Sequence, residues 1–306
     1  MHSHFDNMTI VSCLSIFFCF LVILTSLFQK FRRTYYLQII IYIQFCNLFT
    51  SFGTILGYTK SSSSECYFQG IVTNIFPISN AFWVIYLIYF IFKLIVHKNT
   101  PNINHTVHIV CWIFPLLLTV LPFINSNYST PRPNIDWCFI VPREKYINMT
   151  LFWYWFSFYF WIWAAIFSSV IMYAYLYFNM SKLVNDNTSK LYKNIWRLLK
   201  YPLITALTWS LSCLTDTFYV LGVDFPYVNV LTLIGDSLAC SQGALTGIYF
   251  LIDNKKSIMK ELKKTKEYYN NDNRRVQPDR VRVRHNHRAL EANLNLNDHR
   301  MLQINY

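Results

Sequence analysis

Charge is scarce in this chain of 306 residues, where Asp, Glu, Lys and Arg together make up 14% of the sequence and hydrophobic residues 54%. That balance excludes an ordinary soluble protein and makes the bilayer the natural solvent. The charges are also absent from particular places. Seven runs of hydrocarbon-spanning length have almost none, over about residues 9–29, 34–58, 67–95, 106–124, 148–178, 199–222 and 227–252. These runs lack the period-two alternation of barrel strands, so the segments read as helices, whose backbone groups pair internally in lipid. The first run lacks a basic stretch before it and a small-residue cleavage site after it, and Lys30-Phe31-Arg32-Arg33 follows at once. It reads as a retained signal-anchor helix.

All but four of the 27 Lys and Arg residues (Lys60, Arg132, Arg143 and Lys145) lie in segments that share one side of this topology. Cations stay in the cytosol during insertion, which puts the N-terminus outside and the C-terminus inside. The expected fold is therefore all-α, a seven-transmembrane helix bundle over residues 1–255 followed by a basic cytoplasmic tail over 256–306. The net charge of +12 belongs mostly to the inner face, where it suits anionic lipids and gives no sign of nucleic-acid binding.

Three further absences narrow the chemistry. The last run has no Lys for a retinal Schiff base. The eight histidines are terminal or juxtamembrane, so no zinc site forms at membrane depth and no metal or cofactor is expected. No credible nucleophile with an adjacent base points to an enzyme. Paired broken helices in symmetric halves, the mark of many transporters, are missing too.

Most of the eight cysteines fall inside the spans as small apolar packers. Cys66 and Cys138 fall outside them, on the extracellular side. A bridge would tie the 125–147 loop across the mouth of the bundle; the alternative is two unpaired thiols. The sequons at Asn7 and Asn127 face the same side and can carry glycans.

Several motifs occur in a fixed order: Cys111-Trp112-Ile113-Phe114-Pro115 in the fourth span, Trp137-Cys138 in the second outer loop, Tyr201-Pro202-Leu203-Ile204 opening the sixth span, and Gln242-Gly243 followed by Tyr249 in the seventh. In these, residues 9–255 resemble the cyclic-AMP-receptor-like (class E) group of G-protein-coupled receptors found in amoebae and other lower eukaryotes. Thr246 stands where that group has Asn. The third span ends Phe92-Lys93-Leu94 instead of Asp-Arg-Tyr, and the seventh has no Asn-Pro-x-x-Tyr, which argues against the rhodopsin-like class. The resemblance implies a plasma-membrane receptor that binds an extracellular small molecule and activates a heterotrimeric G protein.

Two acids lie well inside spans, Asp216 and Asp236, and intramembrane charge marks function by default. Counted at about 1.5 Å per residue, Asn74 shares the depth of Asp216, while Asn47 and Asn80 share that of Asp236. The expectation is an outer ligand site around Asp216 and Asn74 and a central polar network of Asn47, Asn80 and Asp236. The plain alternative is helix-to-helix hydrogen bonding, worth about 0.6 kcal/mol per contact. No Lys or Arg lies in the outer half of any span, so a phosphate would depend on Arg132, Arg143 and Lys145 in the loop. Family resemblance suggests cyclic AMP, whereas an acidic, aromatic bundle suits a cationic or neutral ligand; the ligand stays open. Trp153, Trp155, Trp161 and Trp163 are more simply packing than a cage.

Pro202 and Trp209 on the sixth span form the expected switch, ligand contact near Asp216 biasing Trp209 and the inner end swinging outward; a static kink is the alternative. Asp253 to Tyr269 carries six Lys and reads as a basic helix on the inner leaflet, with disorder beyond. The competing reading of the whole chain is a transporter or a cation or proton channel that uses Asp216 and Asp236 as its path.

Overall fold

The computed structural model describes residues 2–28, 35–56, 63–97, 101–124, 127–129, 138–141, 152–183, 189–221, 223, 227–228, 230–256 and 258–259. Among them the chain forms seven helices: α1 (His2–Phe28), α2 (Tyr35–Ile55), α3 (Ser64–Val96), α4 (105–124), α5 (152–183), α6 (Ser189–Val220) and α7 (230–256). By internal contacts the chain divides into Met1–Asp253, which holds the bundle, and Asn254–Tyr306. In the second unit, residues 254–256 and 258–259 are helical and the rest of the expected tail helix lies outside the described residues.

Among the described residues four helices are long and apolar enough to cross a membrane by length and composition: Met8–Leu27, Tyr35–Ile55, Ser64–Val96 and Phe152–Phe178. The apolar part of α4, His105–Val120, is shorter. The other two are polar in parts, α6 because it opens on a basic segment and α7 because it carries Asp236, Ser241 and Gln242.

The helices outrun the apolar runs at several ends. α1 begins at His2 rather than residue 9, and α6 begins at Ser189, ten residues before the expected 199. Hydropathy marks the lipid-soluble stretch, whereas an α-helix closes its own backbone hydrogen bonds and continues through polar sequence until something caps it. Ser63 is such a cap, its Oγ accepting from the Cys66 amide at 3.2 Å.

α3 is the central element, packed against α2, α4, α5 and α6. α7 packs closely on α1 and α6 at two glycines. A Cβ on Gly243 would lie 2.6 Å from the Cys19 side-chain Sγ on α1, and one on Gly235 would lie 2.7 Å from the Ser212 backbone nitrogen on α6. The backbone approach at Gly235 requires glycine, and the side chains around Gly243 leave no room for a Cβ without shifting, which gives the Gln242-Gly243 motif a packing reason.

α4 and α5 each contain a π-turn, Ile109–Ile113 and Trp155–Tyr159. The first runs into Pro115, which has no amide hydrogen to donate, and the widened turn relieves the mismatch. Trp112 of the same motif packs edge-on to Phe45, Tyr42 and Trp83.

The loop before α5 holds a two-stranded antiparallel sheet that apolar periodicity did not announce, β1 (Asn127–Ser129) pairing with β2 (Phe139–Val141), Tyr128 opposite Ile140. Cys66 and Cys138 are joined in a disulfide with a Cα separation of 5.3 Å. Gln69 reinforces the tie, its Oε1 accepting from the Cys138 amide at 3.0 Å and its Nε2 donating to Gly53 O at 3.1 Å.

Candidate functional site

At the disulfide end of the bundle lies a cavity of about 800 Å³ including its open mouth. Six of the seven helices contribute to it, with β2 supplying Phe139; α4 contributes nothing. Its polar wall comes from α6 and α7, where Ser212, Asp216 and Asp236 face inward. Trp209, Ser212 and Asp216 fall three and four residues apart, which aligns them on one face of α6. The aromatic wall is Tyr154, Phe158 and Tyr159 of α5 together with Trp209. The π-turn Trp155–Tyr159 holds two of these rings, and an extra residue in a turn re-aims the side chains around it.

Both carboxylates are held by hydroxyls. Tyr159 Oη donates to Asp216 Oδ2 at 2.7 Å, and Tyr154 and Tyr159 share a hydrogen bond of 3.1 Å. Ser212 Oγ donates to Asp236 Oδ1 at 2.6 Å, a contact that depends on the α6–α7 approach at Gly235. Asp236 is 7% exposed, Asp216 more so.

Below the cavity floor the side-chain amide of Gln242 joins three helices. Its Oε1 accepts from Trp209 Nε1 at 2.7 Å and from Asn80 Nδ2 at 3.1 Å, and its Nε2 donates to Thr205 Oγ1 at 2.7 Å. Asn80 also donates to Asn47 Oδ1 at 2.8 Å, and Gln44 Nε2 donates to Thr246 Oγ1 at 2.8 Å. Further along the seam, Tyr249 Oη donates to the Arg197 carbonyl at 3.2 Å, and its ring meets Tyr201 edge-on and Lys200 Nζ at 5.1 Å. Arg197 Nε pairs with Asp253 Oδ1 at 3.0 Å, closing a clasp between α6 and α7. Pro202 is buried beside it on α6.

Of the expected central network, Asn47 and Asn80 meet in a hydrogen bond, while Asp236 accepts from Ser212 and lines the cavity together with Asp216. Depth counted from run ends takes no account of helix tilt or of the close approach of α7 to α6 at Gly235. Asn74 is buried on α3 but does not line the cavity, where its neighbours Thr73 and Pro77 do. Arg132, Arg143 and Lys145 lie outside the described residues, as do the side chains of Asn7 and Asn127, which belong to α1 and β1. Gln242, Ser212, Tyr154, Tyr159 and Gln69 went unnoticed as site residues because the expectation was anchored on the two acids and on asparagines counted to the same depth. Among the described residues no group of three or more His, Cys, Asp or Glu could hold a metal ion.

Residues 3–266 match the family described as slime mold cyclic AMP receptor. The chain belongs to that family. Across 121 residues it is 26% identical to latrophilin receptor-like protein A of Dictyostelium discoideum, a match that spans 39% of this chain and 40% of that relative's length. Its fold is that of squid rhodopsin, whose crystal structure superposes with a TM-score of 0.65 over 87% of this chain and 85% of that one at 14% identity. The protein is thus a multi-pass membrane protein of receptor type with the seven-helix bundle fold.

Proposed function

We propose that this chain is a plasma-membrane receptor whose disulfide end faces outward, which takes a small extracellular ligand into the cavity beneath the hairpin, and which activates a heterotrimeric G protein from the opposite face. The observation that carries this reading is a seam of polar contacts spaced along α6. It starts at the cavity with the Tyr159–Asp216 and Ser212–Asp236 bonds, continues below it with Trp209–Gln242, and ends at the Arg197–Asp253 clasp. From Asp216 to Arg197 the seam follows α6 for roughly 28 Å at 1.5 Å per residue. A ligand that moves the Trp209 indole alters its bond to Gln242 and so changes how α6 packs on α7. Release of the clasp would then let the α6 end around Leu198 move outward and open a docking cleft.

The test is nucleotide exchange on a purified G-protein heterotrimer by the full chain in lipid nanodiscs, with spin labels beside Leu198. Agonist-linked displacement of the labels with accelerated exchange supports the reading; exchange at the protein-free rate under every ligand would end it. Asp216→Asn should abolish the agonist response while surface expression persists. A flux that appears on reconstitution without agonist would favour the channel or transporter reading instead.

A further inference from the structure

We infer that the outer edge of the α6–α7 clasp binds an inner-leaflet phospholipid whose headgroup ends in a phosphomonoester, and that this phosphate competes with Asp253 for the Arg197 guanidinium and loosens the clasp. The inner-face placement rests on the topology of the receptor reading.

α6 begins ten residues before its apolar run, and the added stretch is basic. Lys190, Lys193, Arg197 and Lys200 follow one another at three, four and three residues, which sets these positions within about 80° of each other around the helix. The opposite face is apolar, with Ile195, Leu198 and Leu199 buried. α6 is therefore amphipathic where it leaves the hydrocarbon, one face packed on the bundle and the other cationic. Arg197 precedes the apolar run of α6 and Asp253 follows that of α7, so their ion pair stands at the hydrocarbon edge, the level of lipid phosphates.

The chemistry at that edge favours a phosphate over the carboxylate already there. Arg197 meets Asp253 through Nε at 3.0 Å, and both side chains are partly open to their surroundings. A guanidinium is a planar fork of five donors that takes a phosphate in two places at once. A phosphomonoester brings nearly two charges and three acceptor oxygens, against one charge and two oxygens for Asp253. Lys200 is exposed, lies three residues beyond Arg197, and holds its Nζ 5.1 Å from the Tyr249 ring. The Tyr249 hydroxyl in turn donates to the Arg197 carbonyl at 3.2 Å. Arg197 and Lys200 thus flank the same ring beside the clasp, a pair of cations that a single headgroup can span.

The test uses the full chain in phosphatidylcholine nanodiscs supplied with phosphatidylinositol bisphosphate, or with phosphatidylserine at equal total charge, and reads bound lipid by native mass spectrometry. The bisphosphate lipid should be retained in preference to phosphatidylserine. Lys200→Gln should weaken its retention about five-fold, the share of one near-surface cation. Arg197→Lys, which keeps the charge and loses the fork, should weaken it too, and Asp253→Asn should strengthen it. Spin labels at Asn194 and Ile252, exposed positions on α6 and α7, should move apart as the lipid is added to the wild type but not to Asp253→Asn. Equal retention of phosphatidylserine, or retention unchanged in both Lys200→Gln and Arg197→Lys, would overturn the site. Labels that stay put, or that respond equally to inorganic phosphate in plain phosphatidylcholine discs, would overturn the competition.

Nucleotide exchange on the G protein, read in the same samples, separates this from the receptor reading. Lipid-driven label movement with exchange at the protein-free rate under every ligand would keep the lipid site and remove the receptor. Ligand-stimulated exchange with no lipid preference would do the reverse.

Discussion

The amide of Gln242 gathers an indole, an asparagine and a threonine from α6 and α3 onto one α7 side chain. Replacing it with leucine keeps most of the volume but leaves Trp209 Nε1 without its acceptor and Asn80 with one partner fewer. A buried donor stranded in this way costs about 1–3 kcal/mol, so Gln242→Leu should lower the unfolding temperature in detergent and weaken the response to any ligand that acts through Trp209. An unchanged melting curve would mean that the bundle re-pairs these donors elsewhere. At this scale the sequence was readable where a residue type is expensive in lipid. Asp216, Asp236 and Trp209 drew notice by charge or size, and all three line the cavity. Serine and tyrosine are ordinary in spans, so Ser212 and Tyr159 had no signal until their partners were seen; Gln242 showed only as part of a motif, with no hint of its partners, and the Ser212 bond to Asp236 hung on a glycine one residue before it.

Single helices were readable as apolar runs, while their ends and internal irregularities were not. Neither the π-turn at Trp155–Tyr159 nor the β1–β2 pairing changes hydropathy, and both shape the cavity through Phe158, Tyr159 and Phe139. The hairpin is held to α3 by the Cys66–Cys138 bond across a sequence separation of 72. Cys66→Ser should therefore destabilise the chain by about 2–4 kcal/mol, with ligand binding lost before the bundle melts; calorimetry beside a binding assay would separate the two losses. At the opposite end of α6 the Arg197–Asp253 pair is partly exposed, 44% and 20% respectively. Its contribution falls to about 0–1 kcal/mol. Arg197→Ala should accordingly raise basal nucleotide exchange by at most a few-fold, a result measurable without any ligand. No rise at all would assign the closed state to the Tyr249 contacts alone.

For the whole molecule, the scarcity of charge in seven runs sufficed to read a helical bundle, because hydrocarbon tolerates few other solutions. Which side faces out rests on the cation distribution. If that reading holds, tags at the N-terminus will bind antibody on intact cells and C-terminal tags will require permeabilisation. A glycosidase should then shift the gel mobility of the wild type more than that of an Asn7→Gln, Asn127→Gln double variant. α4 stands apart in this bundle: it contributes no cavity wall, and it exposes Ile109, Ile113, Leu117 and Val120. His105–Val120 rises roughly 24 Å and the apolar 3-10 turn Leu121–Ile124 adds about 8 Å, which together match about 30 Å of hydrocarbon. On that flank the surrounding lipid is the packing partner, so the acyl chains beside α4 bear on the stability of the bundle without touching the cavity.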